Sequence, residues 1–190
     1  MSEPNDPTTI DWPERQARAL IPFNVRSGRP FVPLPLHGDV GTFPIQARGR
    51  NGLPLWGENP EAAALVTCTY AGRRWVLLAQ RPDDGTWAMP SGPMNPDGVW
   101  HWEGARVCKE NAELHIAHPV RRGADTDEPR WVPDPRGSME AWVVLVVTRF
   151  DLGEVESLPE VRGEWVALDE LVLLLDPIFP AHREILAGVR

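Results

Sequence analysis

Between Trp100 and Leu114 the sequence reads WHWEGARVCKENAEL, and four of its five charged residues, Glu103, Arg106, Glu110 and Glu113, recur every three or four positions. A helix advances about 100° per residue, so these four fall within about 80° of one another on one side. Three carboxylates facing one way have a specific use. Magnesium takes hard oxygen ligands, and a bound divalent ion neutralises phosphate oxygens and lowers the pKa of an attacking water. The same pattern also describes a solvated helix face, in which Arg106 and Glu110, four apart, form an ordinary salt bridge worth about 0.3 kcal/mol. Taken alone the spacing favours the solvated face. Histidine can supply an acid or base near neutral pH, which makes His101, His115 and His118 candidates, but their setting reads as surface or loop. No cysteine or histidine spacing suggests zinc.

The elements that must hold this helix are legible around it. AAALVTCTY and RRWVLLAQR are β-rich runs divided by the turn AGR, which reads as a hairpin. GTWAMP is a short third strand. WEGARVCKENAEL has helical spacing, with Ala105, Cys108, Ala112 and Leu114 as its apolar stripe. MEAWVVLVVTRFD reads as a long buried strand, GEWVALDEL as a strand feeding a helix, and AHREILAGV as a last helix. Strands alternating with helices in this way predict an α/β or α+β sandwich with a mixed sheet.

At 190 residues the chain has room for one sizeable domain. Its 21 prolines cluster before residue 61 and again around 119 to 135. Residues 1–60 therefore read as an extended proline-rich arm packed on a domain of residues 61–190, with Phe23, Phe31 and Leu36 as anchors. Acidic residues exceed basic ones 27 to 19, for a net charge of −8, which argues against a general nucleic-acid binder. A small phosphorylated ligand needs only a local arginine pocket and stays open. The first residues, MSEPNDPTTIDWPERQ, have neither a basic start nor an apolar core. No apolar run approaches the roughly 20 residues of a membrane span. A cytoplasmic protein with no membrane partner is expected, and Cys68 and Cys108 are expected to be buried reduced thiols.

The stretch from Trp87 to Leu114 resembles the Nudix box, written G, five residues, E, seven residues, REUXEEXGU, with U a bulky aliphatic residue. Aligned from Gly92, the box places its residues on Gly98, Arg106, Val107, Cys108, Glu110, Asn111, Glu113 and Leu114. The glycine, the arginine, the first of the paired glutamates and the final aliphatic residue match. Gly98 stands in place of the early glutamate, Val107 in place of the glutamate after the arginine, and Asn111 in place of the second paired glutamate. In the family the glutamates at the Val107 and Asn111 places are principal metal ligands. The resemblance implies a Nudix-type α/β/α sandwich, with Glu110, Arg106 and Glu103 as catalytic candidates and Glu110 and Glu113 as metal ligands.

Beyond the box, FPIQARGRNGLPLWGENPEAAALVT is similar to the entry segment of mitochondrial-type ADP-ribose pyrophosphatases, and WVPDPRGSMEAWV to a segment that lies against the ligand's terminal ribose in that group. The closing GEWVALDEL and PAHREIL, with His182, resemble their last strand and helix. By position the resemblance makes Asp134, Arg136, Ser138 and Glu140 substrate contacts, with Met139 and Glu140 departing from the pattern. The implied activity is cleavage of a nucleoside diphosphate linked to another moiety, ADP-ribose or NAD-like, with Mg or Mn, with Asp97 as a further loop acid. The alternative is a catalytically degenerate Nudix domain that binds a nucleotide diphosphate or performs non-hydrolytic chemistry, with no cofactor required. The ADP-ribose-binding domain of melastatin-type cation channels, whose box also lost carboxylates, is a precedent.

Overall fold

The structure is a computed structural model that describes residues 52–54, 57–95, 98–117, 125–127, 129–132, 134–137, 141–171, 173 and 177–189. The arm expected over residues 1–60, with Phe23, Phe31 and Leu36, lies outside these residues except for its last few positions. Eight strands and three helices are defined among them: β1 Gly57–Tyr70, β2 Arg73–Gln80, β3 Trp87–Ala88, β4 Ser91–Pro93, α1 Trp100–Ala112, β5 Asp125–Thr126, β6 Arg130–Trp131, β7 Ala141–Glu154, β8 Glu164–Ala167, α2 Leu168–Leu171 and α3 Pro180–Ala187. The expected mixed α+β architecture is what forms. The short strands β4, β5 and β6, two or three residues each, carry too little pattern to stand out in the sequence.

The chain packs as two compact units. The larger comprises Pro60–Arg130 and Leu145–Arg190. Its sheet runs in the order β3-β2-β1-β7-β5, with β4 paired to β1 and β8 to β2. The hairpin of β1 and β2 is antiparallel, with Thr67 opposite Val76 and Tyr70 opposite Arg73. Its two-residue turn places Ala71 and Gly72 at φ 50° and 73°, the positive values a tight hairpin needs. The pairings of β2 with β8 and of β5 with β7 are antiparallel as well, while Trp87 and Ile178 form a parallel bridge, so the sheet is mixed.

Period-two alternation sends Ala62, Ala64, Val66 and Cys68 of β1 and Leu77 and Ala79 of β2 into one core, where they meet Ala105, Val107, Cys108 and Ala112 of α1. The larger side chains among them, Val66, Leu77 and Val107, each contribute about 1.5–3 kcal/mol. The expected stripe of α1 holds at Ala105, Cys108 and Ala112, with Leu114 packed against the same core. It also includes Val107, at 0% exposure. On α3, Ala181, His182, Ile185 and Leu186 are buried. Pro180 at the helix start suits a position whose N–H has no intrahelical acceptor.

The smaller unit takes the described residues before Pro60 together with Trp131–Val144. There the Val132 N–H donates to the Val143 carbonyl at 3.4 Å, and Asn59 Nδ2 donates to the Trp142 carbonyl at 3.4 Å. A turn follows Asp134, with the Gly137 N–H donating to the Asp134 carbonyl at 2.8 Å.

Candidate functional site

Asn95, just past β4, is joined to α1 by the side chain of Glu103. Glu103 lies on the first turns of α1 and is 4% exposed, so it is no member of a solvated face. A carboxylate that deep must be satisfied. Its Oε2 accepts the Asn95 backbone N–H at 3.0 Å, Arg106 Nε at 3.1 Å and Arg106 Nη2 at 2.8 Å, and its Oε1 accepts Asn95 Nδ2 at 2.8 Å. Burial pushes the carboxyl pKa up. The bonds from Arg106 and Asn95, with the nearby guanidinium charge, outweigh burial and hold it below its ordinary value.

Arg106 is the other half of this knot. Besides Glu103, it donates through Nη1 to Glu110 Oε2 at 2.5 Å and through Nη2 to the Pro93 carbonyl at 2.6 Å. One guanidinium thereby ties the end of β4 to two successive turns of the helix. Glu110 remains open, with a side chain 55% exposed against 6% for Glu103. Two carboxylates against one guanidinium leave this cluster with a formal charge of −2 + 1 = −1.

The remaining box positions serve the fold. Val107 is buried in the core, and Asn111 donates its amide to the Val107 carbonyl at 2.9 Å. Glu113 sits just past the helix end in the left-handed region, φ 57° and ψ 13°, and pairs with Arg162 at 3.6 Å. The metal pair read from the sequence, Glu110 and Glu113, thus has two different partners. Among the described residues no group of three or more His, Cys, Asp or Glu side chains is arranged to hold a metal ion. Glu110 fits a single-carboxylate role, because magnesium commonly keeps several waters and is held by one or two carboxylates plus substrate phosphates. Glu103 does not, since its oxygens already take four donors.

In the smaller unit, Asp134 and Arg136 form their own pair. Arg136 donates from its backbone N at 2.8 Å and from Nε at 2.9 Å to Asp134 Oδ1, and from Nη2 to Oδ2 at 2.6 Å. The Asp134 side chain is 1% exposed and that of Arg136 is 34% exposed. Asp134 is therefore the buried member of the pair and Arg136 the part-exposed one. Ser138, Met139, Glu140, Asp97 and His118 lie outside the described residues.

Asn95 and Thr148 were not legible as important. Asn95 precedes a Pro-Asp-Gly turn, which signals a loop but not a partner. Thr148, fully buried on β7, donates its hydroxyl to the Trp100 carbonyl at 3.3 Å. His101 packs at a tilt on Trp102, with ring centroids 5.9 Å apart, and His115 is exposed. His182 is buried, and its Nδ1 accepts the Met89 N–H at 3.2 Å, which leaves the ring proton on Nε2.

No protein-family model matches the sequence, and no curated protein does. Solved structures do match. The Nudix domain of Shewanella oneidensis NrtR, complexed with ADP ribose, is 16% identical with a TM-score of 0.53, covering 69% of this chain and 85% of that one. The bifunctional NMN adenylyltransferase/ADP ribose pyrophosphatase of Francisella tularensis is 19% identical with a TM-score of 0.54, covering 70% of this chain. The match spans 40% of that longer protein. A second structure of it, complexed with AMP and a Mn ion, gives 17% identity and the same TM-score of 0.54. Together with the strand order and the loop feeding α1, these matches identify the fold of this chain as the Nudix fold.

Proposed function

We propose that this chain is a Nudix-type hydrolase whose substrate is a nucleoside diphosphate linked to another moiety, ADP-ribose or an NAD-like dinucleotide. The observation that carries the reading is Glu110. It occupies the box position of the first paired glutamate, more than half exposed, at the open end of a cluster with net negative charge. A diphosphate meets repulsion there unless a divalent cation lies between, and Glu110 is the carboxylate placed to hold Mg or Mn. When bound, that ion supplies charge neutralisation and an acidified water. The chain's own part is to hold Glu110 through Arg106. The similarity to a domain complexed with ADP ribose, and to a protein complexed with AMP and Mn, supports the ligand class. The mitochondrial-type ADP-ribose pyrophosphatases are the branch whose motifs fit residues 43 to 190.

A second reading has one observation in its favour. Val107 and Asn111, at the box positions of two metal-binding glutamates, are used by the fold, one in the core and one on a helix carbonyl. In this reading the domain binds the nucleotide diphosphate and does not cleave it. Incubation with ADP-ribose and NAD, first with Mg or Mn and then with EDTA, separates the two. AMP formed only with metal, followed by chromatography and mass spectrometry, supports the hydrolase. Ligand protection against heat without AMP supports the binder.

A further inference from the structure

Gly98 has an ordinary backbone conformation, outside the positive-φ region, so nothing in its torsions calls for glycine. Space does. A Cβ at this position would lie 2.5 Å from Glu103 Cδ and 2.6 Å from its Cγ, and against Oε1. Any side chain at 98 and the buried carboxylate of Glu103 therefore compete for one volume. The competitor is specific, because the box carries a glutamate at the position of Gly98. Here that volume is filled from the helix by the Glu103 carboxylate, whose two oxygens are occupied by Arg106 and Asn95.

We propose that Glu103 is the positioning residue of this site, replacing a loop carboxylate at position 98 with one delivered from α1, and that Gly98 is glycine to make room for it. Glu103 orients Arg106, and Arg106 in turn fixes Glu110 and the Pro93 carbonyl. The exchange itself does not depend on the hydrolase reading. Its effect on substrate does rest on that reading.

The test is a cycle of three variants of the full chain, Glu103→Ala, Gly98→Glu and the double variant, compared by thermal unfolding without ligand. Glu103→Ala strands Arg106 and lowers Tm. Gly98→Glu collides with Glu103 and lowers it too. In the double variant the loop carboxylate enters the vacated volume, and Tm recovers most of the loss. Additive losses in the double variant overturn the proposal, since independent sites add and coupled ones do not. A second readout follows Arg106 itself. Its Nε–H signal in a proton–nitrogen correlation spectrum exchanges slowly with water in the native chain and fast in Glu103→Ala, and becomes slow again in the double variant. A signal unchanged in Glu103→Ala also overturns the proposal, whatever Tm does. Adding ADP-ribose to the same samples tests the ligand reading separately. If even the native chain shows no ligand-induced Tm rise, the ligand reading fails while the cycle still decides the role of Glu103.

Discussion

Gly104 of α1 lies so close to Thr148 of β7 that a Cβ on the glycine would sit 2.7 Å from the threonine Cβ and 2.8 Å from its Oγ1. This contact sets how near the helix approaches the sheet, and the Thr148 hydroxyl anchors the helix start through the Trp100 carbonyl. Gly104→Ala should gain helix propensity of up to about 1 kcal/mol. It should lose more, about 1–3 kcal/mol, to overpacking. A net fall in Tm is expected, and Thr148→Ala in the same chain should recover part of it. Thermal unfolding of the two singles and the double checks this.

Glu110→Gln separates a catalytic role from a structural one. The Arg106–Glu110 pair is exposed on the Glu110 side, so its loss should change stability by less than about 1 kcal/mol. Metal-dependent release of AMP from ADP-ribose should nonetheless disappear. Turnover that survives the substitution would assign Glu110 to the salt bridge alone.

Placing carboxylates where the box resemblance would have them should have unequal results. Asn111 is only partly buried, and Asn111→Glu should fold and increase metal-dependent turnover. Val107 is fully buried in the core, and Val107→Glu would place an unpaired carboxyl there. A loss of about 3–5 kcal/mol is expected from an uncompensated buried charge, measurable by urea unfolding.

The pH dependence of stability should carry the signature of Glu103. Its carboxyl pKa is lowered in the folded chain despite burial, because Arg106 and Asn95 hydrogen-bond the charged form. Its stabilising contribution is therefore fully present above the ordinary glutamate range and is lost as pH falls through the lowered folded value. Glu103→Gln should lower stability at neutral pH and flatten the acid limb of a Tm-against-pH curve. A limb of unchanged steepness in that variant would assign it to other carboxylates.

The two thiols should be inert in the native protein. Burial pushes Cys108 up to about 12, and burial with the nearby Asp151 charge raises Cys68 as well. Neither is in a disulfide. A thiol-reactive dye at neutral pH should label neither in the native chain and both in denaturant, since the thiolate is the reactive form.

Periodicity and turn chemistry were sufficient for the long elements. The β1–β2 hairpin, α1, β7 and the last helix follow from runs whose apolar residues repeat every two or every three to four positions, which depends on local geometry alone. The box resemblance likewise located Arg106 and Glu110 together. What the linear pattern could not decide was which charged residue goes inside. Glu103, Glu110 and Glu113 are equivalent on a helical wheel, yet one is buried on Arg106 and Asn95, one is open beside the same arginine, and one pairs with Arg162. That division depends on Asn95 meeting Glu103, on a missing Cβ at Gly98, and on a left-handed residue at Glu113, which the folded chain brings about. A buried carboxylate is stable only where several donors converge on it, and convergence of groups 8 residues apart, as for Asn95 and Glu103, is a property of the folded chain.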